Sequence, residues 1–357
     1  MSQSLRNRSP GKPTSLTIAH LAGVSQPTVS RALRGSPMVN AETRKRIEAI
    51  AQQLRYSVDR NASNLRSRET RTLALLIFED PTSDDSLINP FFHSMLGSIT
   101  RACAERRYDL LVSFQPRSND SAGDFGCEHK ADGIILLGYG DYHDHRARTE
   151  SLAASGTHFV RWGQVQDGQP GRSIGCDNFR GGYEATRHLL GCGRRHIAFL
   201  GNATSHYPEF LERFRGYRLA LEEAGVAPPE PLQIDALSTE SSGHYAACRL
   251  LADGRTFDAA VAASDLIAIG AMRAWKERSI RVPEQVSVVG FDDLPAASLA
   301  SPALTTIMQD TRLAGVVLVD TLMKLIRGEP AEDRMLPARL IVRQSCGAVQ
   351  AGVSPAG

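Results

Sequence analysis

At 357 residues, 42% hydrophobic and 22% charged, the chain has the size and balance of two or three globular domains. No apolar run approaches the about 18 residues needed to span a bilayer, and no apolar segment follows the basic start as a secretory leader would require. The net charge of +2 hides an asymmetry, because residues 1–71 carry 13 Lys+Arg against 4 Asp+Glu while the remainder carries 28 against 35. A basic front on an acidic body calls for a polyanionic partner at the front alone, the competing reading being a solvated arginine-rich leader. The six cysteines, at 103, 127, 176, 192, 248 and 346, form no CxxC pair and are expected to be scattered, reduced residues of a cytoplasmic protein.

Residues 1–13 are polar and basic and are expected to form a disordered leader. Three short helical patterns follow. The first spans Ser15 to Ala22, with Ile18, Leu21 and Ala22 on one face, and stops at Gly23. The second spans Gln26 to Arg34 and stops at Gly35 and Pro37. The third spans Ala41 to Leu54 behind an Asn40 cap, with Ile47, Ile50, Ala51 and Leu54 in helical register. In the second, "QPTVSRAL", a mid-helix proline would cost about 3 kcal/mol, but behind a Ser25 cap Pro27 falls in the first turn, where the amides have no helical partner. That register exposes Gln26, Pro27, Ser30, Arg31 and Arg34 and turns Val29 and Leu33 inward, with Val24, Val29 and Leu33 at the core. Helix, glycine turn, helix is the helix-turn-helix arrangement, whose second helix fits a major groove about 12 Å wide. The plain alternative is a three-helix packing unit with a merely wet polar face. The next stretch, residues 56–72, has too few apolar residues to fold without a partner. Leu65 within it suits a wedge at a minor-groove base step.

After Arg71 short apolar runs alternate with amphipathic segments. The runs are "TLALLIF", "YDLLVSF", "GIILLG", "HFVRW", "IAFLG", "AAVAAS" and "VSVVGF"; helices are expected over 91–107, 181–193, 214–225, 241–253, 266–278 and 312–328. Continuous Val/Ile/Leu strands between helices mean parallel sheets covered on both faces, and some 285 residues of them mean two such lobes. The fold class is thus an all-α helix-turn-helix head plus α/β, with two doubly wound parallel-sheet lobes.

With these motifs in view, the chain resembles the LacI/GalR-type transcriptional repressors. "TIAHLAGVSQPTVSRALRGSPMVNAETRKRIEAIAQQLRYS" follows that family's head almost position by position, and "NPFF", "ADGIILLG", "GGYEATRHLLGCGRRHIAFLG", "RFRGYRLAL", "ASDLIAIGAMRAW", "VSVVGFDD" and "LTTIMQD" follow its body. The resemblance implies periplasmic-binding-protein-like lobes, a homodimer, and a pseudo-palindromic double-stranded operator as partner. It divides the chain into a DNA-binding head over 14–58, a hinge over 59–70, an effector and dimerisation body over 71–346 and a tail over 347–357. Thr14, Ser15, Gln26, Pro27, Thr28, Ser30, Arg31, Arg34 and Tyr56 fall at DNA-contact positions, and Leu65 falls at the hinge wedge. Val58 and Asp59 replace the family's Pro-Asn ahead of that hinge, placing a carboxylate near the phosphates. The family's leucine-heptad tetramerising tail is absent, so a dimer is expected.

Ligands of open α/β lobes sit beyond the carboxyl ends of the strands. Arg161 and Trp162, Ser264 and Asp265, Asp292 and Asp293, and Gln309 on a crossover are therefore candidates. By family position Arg213 and Asp292 hold ligand hydroxyls, and Asn89, Phe91 and Phe92 of "NPFF" lie at the pocket mouth. A carboxylate, a guanidinium and an aromatic face suit a sugar. The plain readings are a strand-end turn for Asp292, core for Phe92 and an inter-lobe ion pair for Arg161. Arginine at 161, where the family has an acidic or small residue, points to an acidic or phosphorylated ligand or to a different hydroxyl arrangement. Some members stack a tryptophan near Ser238; here Trp162 is the aromatic at hand. "GDYHDH" at 140–145 is read as a solvated loop rather than a metal site, and "GYG" lacks the rest of a dinucleotide fingerprint. No GxSxG, Walker A or HExxH occurs, so no cofactor, metal or catalytic residue is expected. The expectation is a DNA-binding repressor controlled by a sugar. The alternatives are a purine- or nucleoside-responsive repressor and, in a different class, a transport-type sugar-binding protein; an enzyme on the doubly wound fold is a third.

Overall fold

The computed structural model describes residues 13–33, 35–54, 56, 70–78, 88–115, 130–138, 142–166, 168–228, 230 and 232–348, with backbone only for 142–145 and 148. Arg34, Val58, Asp59 and Leu65 lie outside the described residues. The chain divides into a unit up to Thr70 and a unit from Arg71.

Among the described residues the first unit is three helices. α1 (Ser15–Ala22) starts at Thr14, whose hydroxyl accepts from the Thr17 N–H while Thr17 reaches back to the Thr14 N–H; Gly23 ends it at φ 61°, in the left-handed region that favours glycine. α2 (Gln26–Leu33) keeps Pro27 in its first turn. α3 (Ala41–Gln53) starts at Asn40, whose Oδ1 accepts from the Thr43 N–H at 2.7 Å. Ile18, Val29 and Ile47 are fully buried at the centre, with Ala19, Ala22, Ala32 and Ala51 around them; Val24, Leu33 and Tyr56 pack from the rim. Leu21 departs from the expected face, being 56% exposed, and Ala19 takes its place. Only a narrow stripe of an eight-residue helix meets its two neighbours, and it runs through 18, 19 and 22.

Among the described residues the second unit holds two six-stranded sheets. In chain order its elements are β1 (Thr72–Phe78), α4 (Pro90–Glu105), β2 (Asp109–Gln115), β3 (Gly133–Leu137), α5 (Tyr142–Ala154), β4 (Phe159–Trp162), β5 (Arg172–Cys176), α6 (Asn178–Gly191), β6 (Ile197–Leu200), α7 (Pro208–Glu223), β7 (Gln233–Ile234), α8 (Glu240–Ala252), β8 (Ala259–Ala262), α9 (Asp265–Glu277), β9 (Ser287–Asp292), α10 (Pro295–Leu299), β10 (Thr305–Gln309), α11 (Thr311–Ile326), β11 (Arg334–Leu336) and β12 (Ala338–Ile341). Sheet one runs β11-β5-β4-β3-β1-β2 and sheet two β12-β10-β9-β8-β6-β7, all parallel except β12 against β10. Both sheets draw late strands from the far end of the chain. The backbone therefore crosses between lobes three times, after β5, after β10 and between β11 and β12, and any relative motion of the lobes must be absorbed there.

Residues 142–145, expected in a loop, open α5 instead. No described helix is long and apolar enough to cross a membrane. The described cysteines are all free.

Candidate nucleic-acid interface and effector cleft

On the head, Gln26, Pro27 and Arg31 of α2 are exposed and Thr28 and Ser30 half-buried, so the expected polar face is on the surface. Gln26 Nε2 donates to Ser15 Oγ at 3.0 Å, which ties the starts of α1 and α2 together. Ser25 Oγ lies 2.8 Å from Thr28 Oγ1. Thr14 serves as helix cap, and Tyr56 donates its backbone N–H to Ala51 while its side chain packs on the head core. α2 has no acid in its first turn, which leaves its amide-rich start free of negative charge and suited to a phosphate.

In the second unit a cleft opens at the carboxyl ends of sheet one, lined by Phe78, Trp162, Arg146, Arg161, Gln164 and Glu209 among others. Glu209 and its neighbour Pro208 come from α7 on the other lobe, and Glu209 Oε1 accepts from the Gln164 N–H at 2.9 Å. Arg161 Nε donates to Ser173 Oγ at 2.7 Å and its guanidinium also reaches Gln169, both partners in the first lobe. Trp162 is 6.0 Å from Phe91, centroid to centroid.

A buried guanidinium lies at the carboxyl ends of sheet two. Arg213 on α7 is 1% exposed. Its Nε donates to Asn178 Oδ1 at 2.9 Å, its Nη1 to the Ala263 carbonyl, and its plane lies over Phe291, 3.6 Å to the centroid. Among the described residues its Nη2 has no hydrogen-bond partner, nor does Asn202 Oδ1, just past β6. A buried donor or acceptor without a partner costs about 1–3 kcal/mol, more when charged, so these two atoms ask for a guest. Asp292 Oδ1 lies 3.9 Å from Arg213 Nη1 and accepts from Gln309 Nε2 at 2.6 Å. Burial pushes the Asp292 carboxyl up to about 6 despite the pull of Arg213 and the Gln309 amide. Asp292 at φ 116° and Asp293 at φ 57° both sit in the left-handed region, a strain of order 1–3 kcal/mol that clusters at functional sites.

Other expected cleft residues have structural tasks. Asp265 is fully buried, with Oδ2 accepting from the Leu294 N–H at 2.7 Å and Oδ1 from Thr306 Oγ1 at 2.5 Å. Burial, with the nearby Asp292 charge, pushes its carboxyl well above the usual range. It fastens the start of α9 to β10 and to the turn after β9. Ser264 caps α9 and accepts from Ser238 Oγ at 2.9 Å; Asn89 caps α4 and donates to Ser238 Oγ at 3.1 Å. These three residues form a polar chain across the two lobes. Phe91 and Phe92, expected at the mouth, are 0% and 2% exposed and belong to the core, because Asn89 and Pro90 turn the start of α4 so that both rings face the sheet. Asn178, Gln164, Asn202 and Glu209 escaped the sequence reading. Asn178 follows β5, whose "RSIGC" is too short and polar to register as a strand in the sequence, so nothing there marks Asn178 as a strand-end residue.

Residues 16–59 match the family described as bacterial regulatory proteins, lacI family, and residues 186–346 match the periplasmic binding protein-like domain. The chain is 32% identical to the HTH-type transcriptional regulator CelR of Thermobifida fusca, over 94% of this chain and 98% of that one. It is 30% identical to the regulator DegA of Bacillus subtilis over 94% and 98%. Among solved structures, the CelR–cellobiose complex superimposes with a TM-score of 0.69 over 93% of this chain and 99% of that one, at 32% identity. The lac repressor dimer bound to operator and the anti-inducer ONPF superimposes with a TM-score of 0.80 over 94% and 99%, at 27% identity. With a helix-turn-helix head, two parallel-sheet lobes and relatives matched nearly end to end, the chain belongs to the lacI family of bacterial transcriptional regulators.

Proposed function

We propose that this chain is a homodimeric cytoplasmic repressor whose affinity for a pseudo-palindromic operator is set by a sugar held between its two lobes. The observation that carries the effector half is Arg213. A buried guanidinium with a free Nη2 beside a buried carboxylate can donate to one sugar hydroxyl oxygen while Asp292 accepts from the next. The Asn202 carbonyl oxygen takes a third, and Trp162 lends an apolar edge to the C–H face of the ring. CelR, at 32% identity, was solved with cellobiose, which makes a sugar of one or two rings the first candidate here. Arg146 and Arg161 on the same cleft favour a second reading, a sugar that carries an acidic group.

In the DNA half, Gln26, Pro27, Thr28, Ser30 and Arg31 face the major groove, Thr14, Ser15, Arg34 and Tyr56 hold the backbone, and Leu65 is the minor-groove wedge. Sugar binding draws the lobes together and weakens operator binding. Duplexes selected from a random pool by the full-length protein give the operator; neutral sugars, sugar acids and purines are then screened by thermal shift and by release of that operator. A sugar that raises Tm and releases DNA fits the reading; a purine as the sole active compound overturns its effector half. Arg31→Ala should lose about 1–3 kcal/mol of specific binding and relax the preference at one base pair. Unchanged base discrimination would remove Arg31 from the interface.

A further inference from the structure

His188, Cys192 and Cys346 meet at the amino-terminal edge of sheet two, and neither the operator nor the effector requires them. His188 and Cys192 are one turn apart at the end of α6, so their side chains share a face. Cys346 arrives from the far end of the chain. Ser287 Oγ donates to its carbonyl at 2.8 Å. The Oγ of the preceding Ser345 accepts from the Thr305 N–H at 2.8 Å and donates to the Val288 carbonyl at 2.7 Å. That thiol is therefore held in place by strands β9 and β10. One imidazole nitrogen and two sulfurs lie within 4.8 Å of one another, with Cys192 Sγ to His188 Nε2 at 3.8 Å. A tetrahedral zinc with bonds of about 2.3 Å to sulfur and about 2.05 Å to nitrogen has edges of roughly 3.6–3.8 Å. The Cys192–His188 edge already has that length, and the other two lie within about an ångström of it. His188 and Cys192 are half-buried, so solvent can supply a fourth ligand.

We propose that His188, Cys192 and Cys346 bind one thiophilic divalent cation, Zn²⁺ in the first instance, and so staple the C-terminal segment to the end of α6. Binding deprotonates both thiols and releases up to two protons per ion. Burial pushes the Cys346 thiol up, but the His188 imidazole, the Thr305 hydroxyl and the Ala348 N–H outweigh it and hold the thiol at about 7; burial and the neighbouring Cys346 raise the Cys192 thiol, which the cation must deprotonate. The site is remote from the effector residues: His188 stands ten residues from Asn178 on α6, about 15 Å at 1.5 Å per residue.

The test uses the full-length protein, reduced, stripped with a chelator and titrated with Co²⁺. One equivalent per chain should produce a thiolate-to-cobalt charge-transfer band and tetrahedral ligand-field bands, which Zn²⁺ then abolishes; Zn²⁺ should also raise Tm. Cys192→Ser should remove the charge-transfer intensity of one thiolate and weaken binding by about a hundredfold, and His188→Gln by about tenfold. Both side chains are half-exposed, and far-UV circular dichroism checks that each variant folds. No charge-transfer band at one equivalent, a band of undiminished intensity in Cys192→Ser, or a Cys192–Cys346 disulfide in the protein as purified under reducing conditions would each overturn the proposal.

Discussion

Asp292 shows how burial converts an ordinary carboxylate into a pH-sensitive one. With a carboxyl held at about 6, the group is ionised at neutral pH and protonated a little below it. A sugar hydroxyl that donates to Asp292 needs the ionised form, so the proton competes with the sugar. Effector affinity should hold above pH 6 and fall by up to about tenfold for each unit below it. Calorimetry across that range checks this, and Asp292→Asn should bind weakly and show no such slope. A slope that persists in the Asn variant would assign the titration elsewhere. The sign for folding runs the same way. The folded carboxyl lies above its ordinary 3.8, so the proton favours the folded protein; that contribution is full below about 3.8 and is lost as pH rises through 6.

Among the elements, the pair α6 and α7 positions the effector site through glycine. A Cβ on Gly182 would come 1.9 Å from the Arg213 carbonyl oxygen, and one on Gly216 would come 2.0 Å from that of Phe179. The two helices thus touch backbone to backbone, which sets Asn178 and Arg213 within one hydrogen bond of each other. Gly182→Ala must force the helices apart, at a cost of about 1–3 kcal/mol, and should weaken effector binding because Arg213 moves with α7. Gly191 ends the same helix in open space, so Gly191→Ala should be neutral or stabilising by up to about 1 kcal/mol. Chemical denaturation of the two variants beside wild type provides the comparison, and equal destabilisation by both would show that the crossing is not tight.

For the whole molecule, the three crossovers allow lobe motion, and polar contacts across the cleft bias it. Asn89 to Ser238, Gln164 to Glu209 and Asn178 to Gln164 join the lobes at 2.9–3.1 Å. Ser238→Ala removes the first bond, together with the bond Ser238 donates to Ser264 within its own lobe, but leaves Asn89 able to cap α4 through its own Oδ1. A hydrogen bond worth about 1 kcal/mol predicts roughly fivefold weaker effector binding and a larger radius of gyration by small-angle scattering. Operator affinity without effector should be unchanged. Wild-type values for both effector affinity and radius would mean that this bond does not hold the lobes.

Local pattern alone determined the head, its cap at Asn40, the Val/Ile/Leu strands and most helices to within a few residues, because propensity, capping and periodicity act over one or two turns of chain. It also placed Asp292 and Trp162 at strand ends, while Gln309, expected on a crossover, ends β10. Strands β5, β10, β11 and β12 became strands only by pairing with partners already in a sheet, being too short or too polar to be read alone. The same dependence hid Asn178 and Glu209 and misplaced Phe91 and Phe92, since whether a side chain faces a cleft or a core depends on which distant element covers it. Cys192 and Cys346, unremarkable as isolated cysteines, became neighbours only when the last strand closed sheet two. Sequence specifies which faces seek burial; contact between residues far apart in the chain decides which polar atoms are then left without a partner, and those atoms make the site.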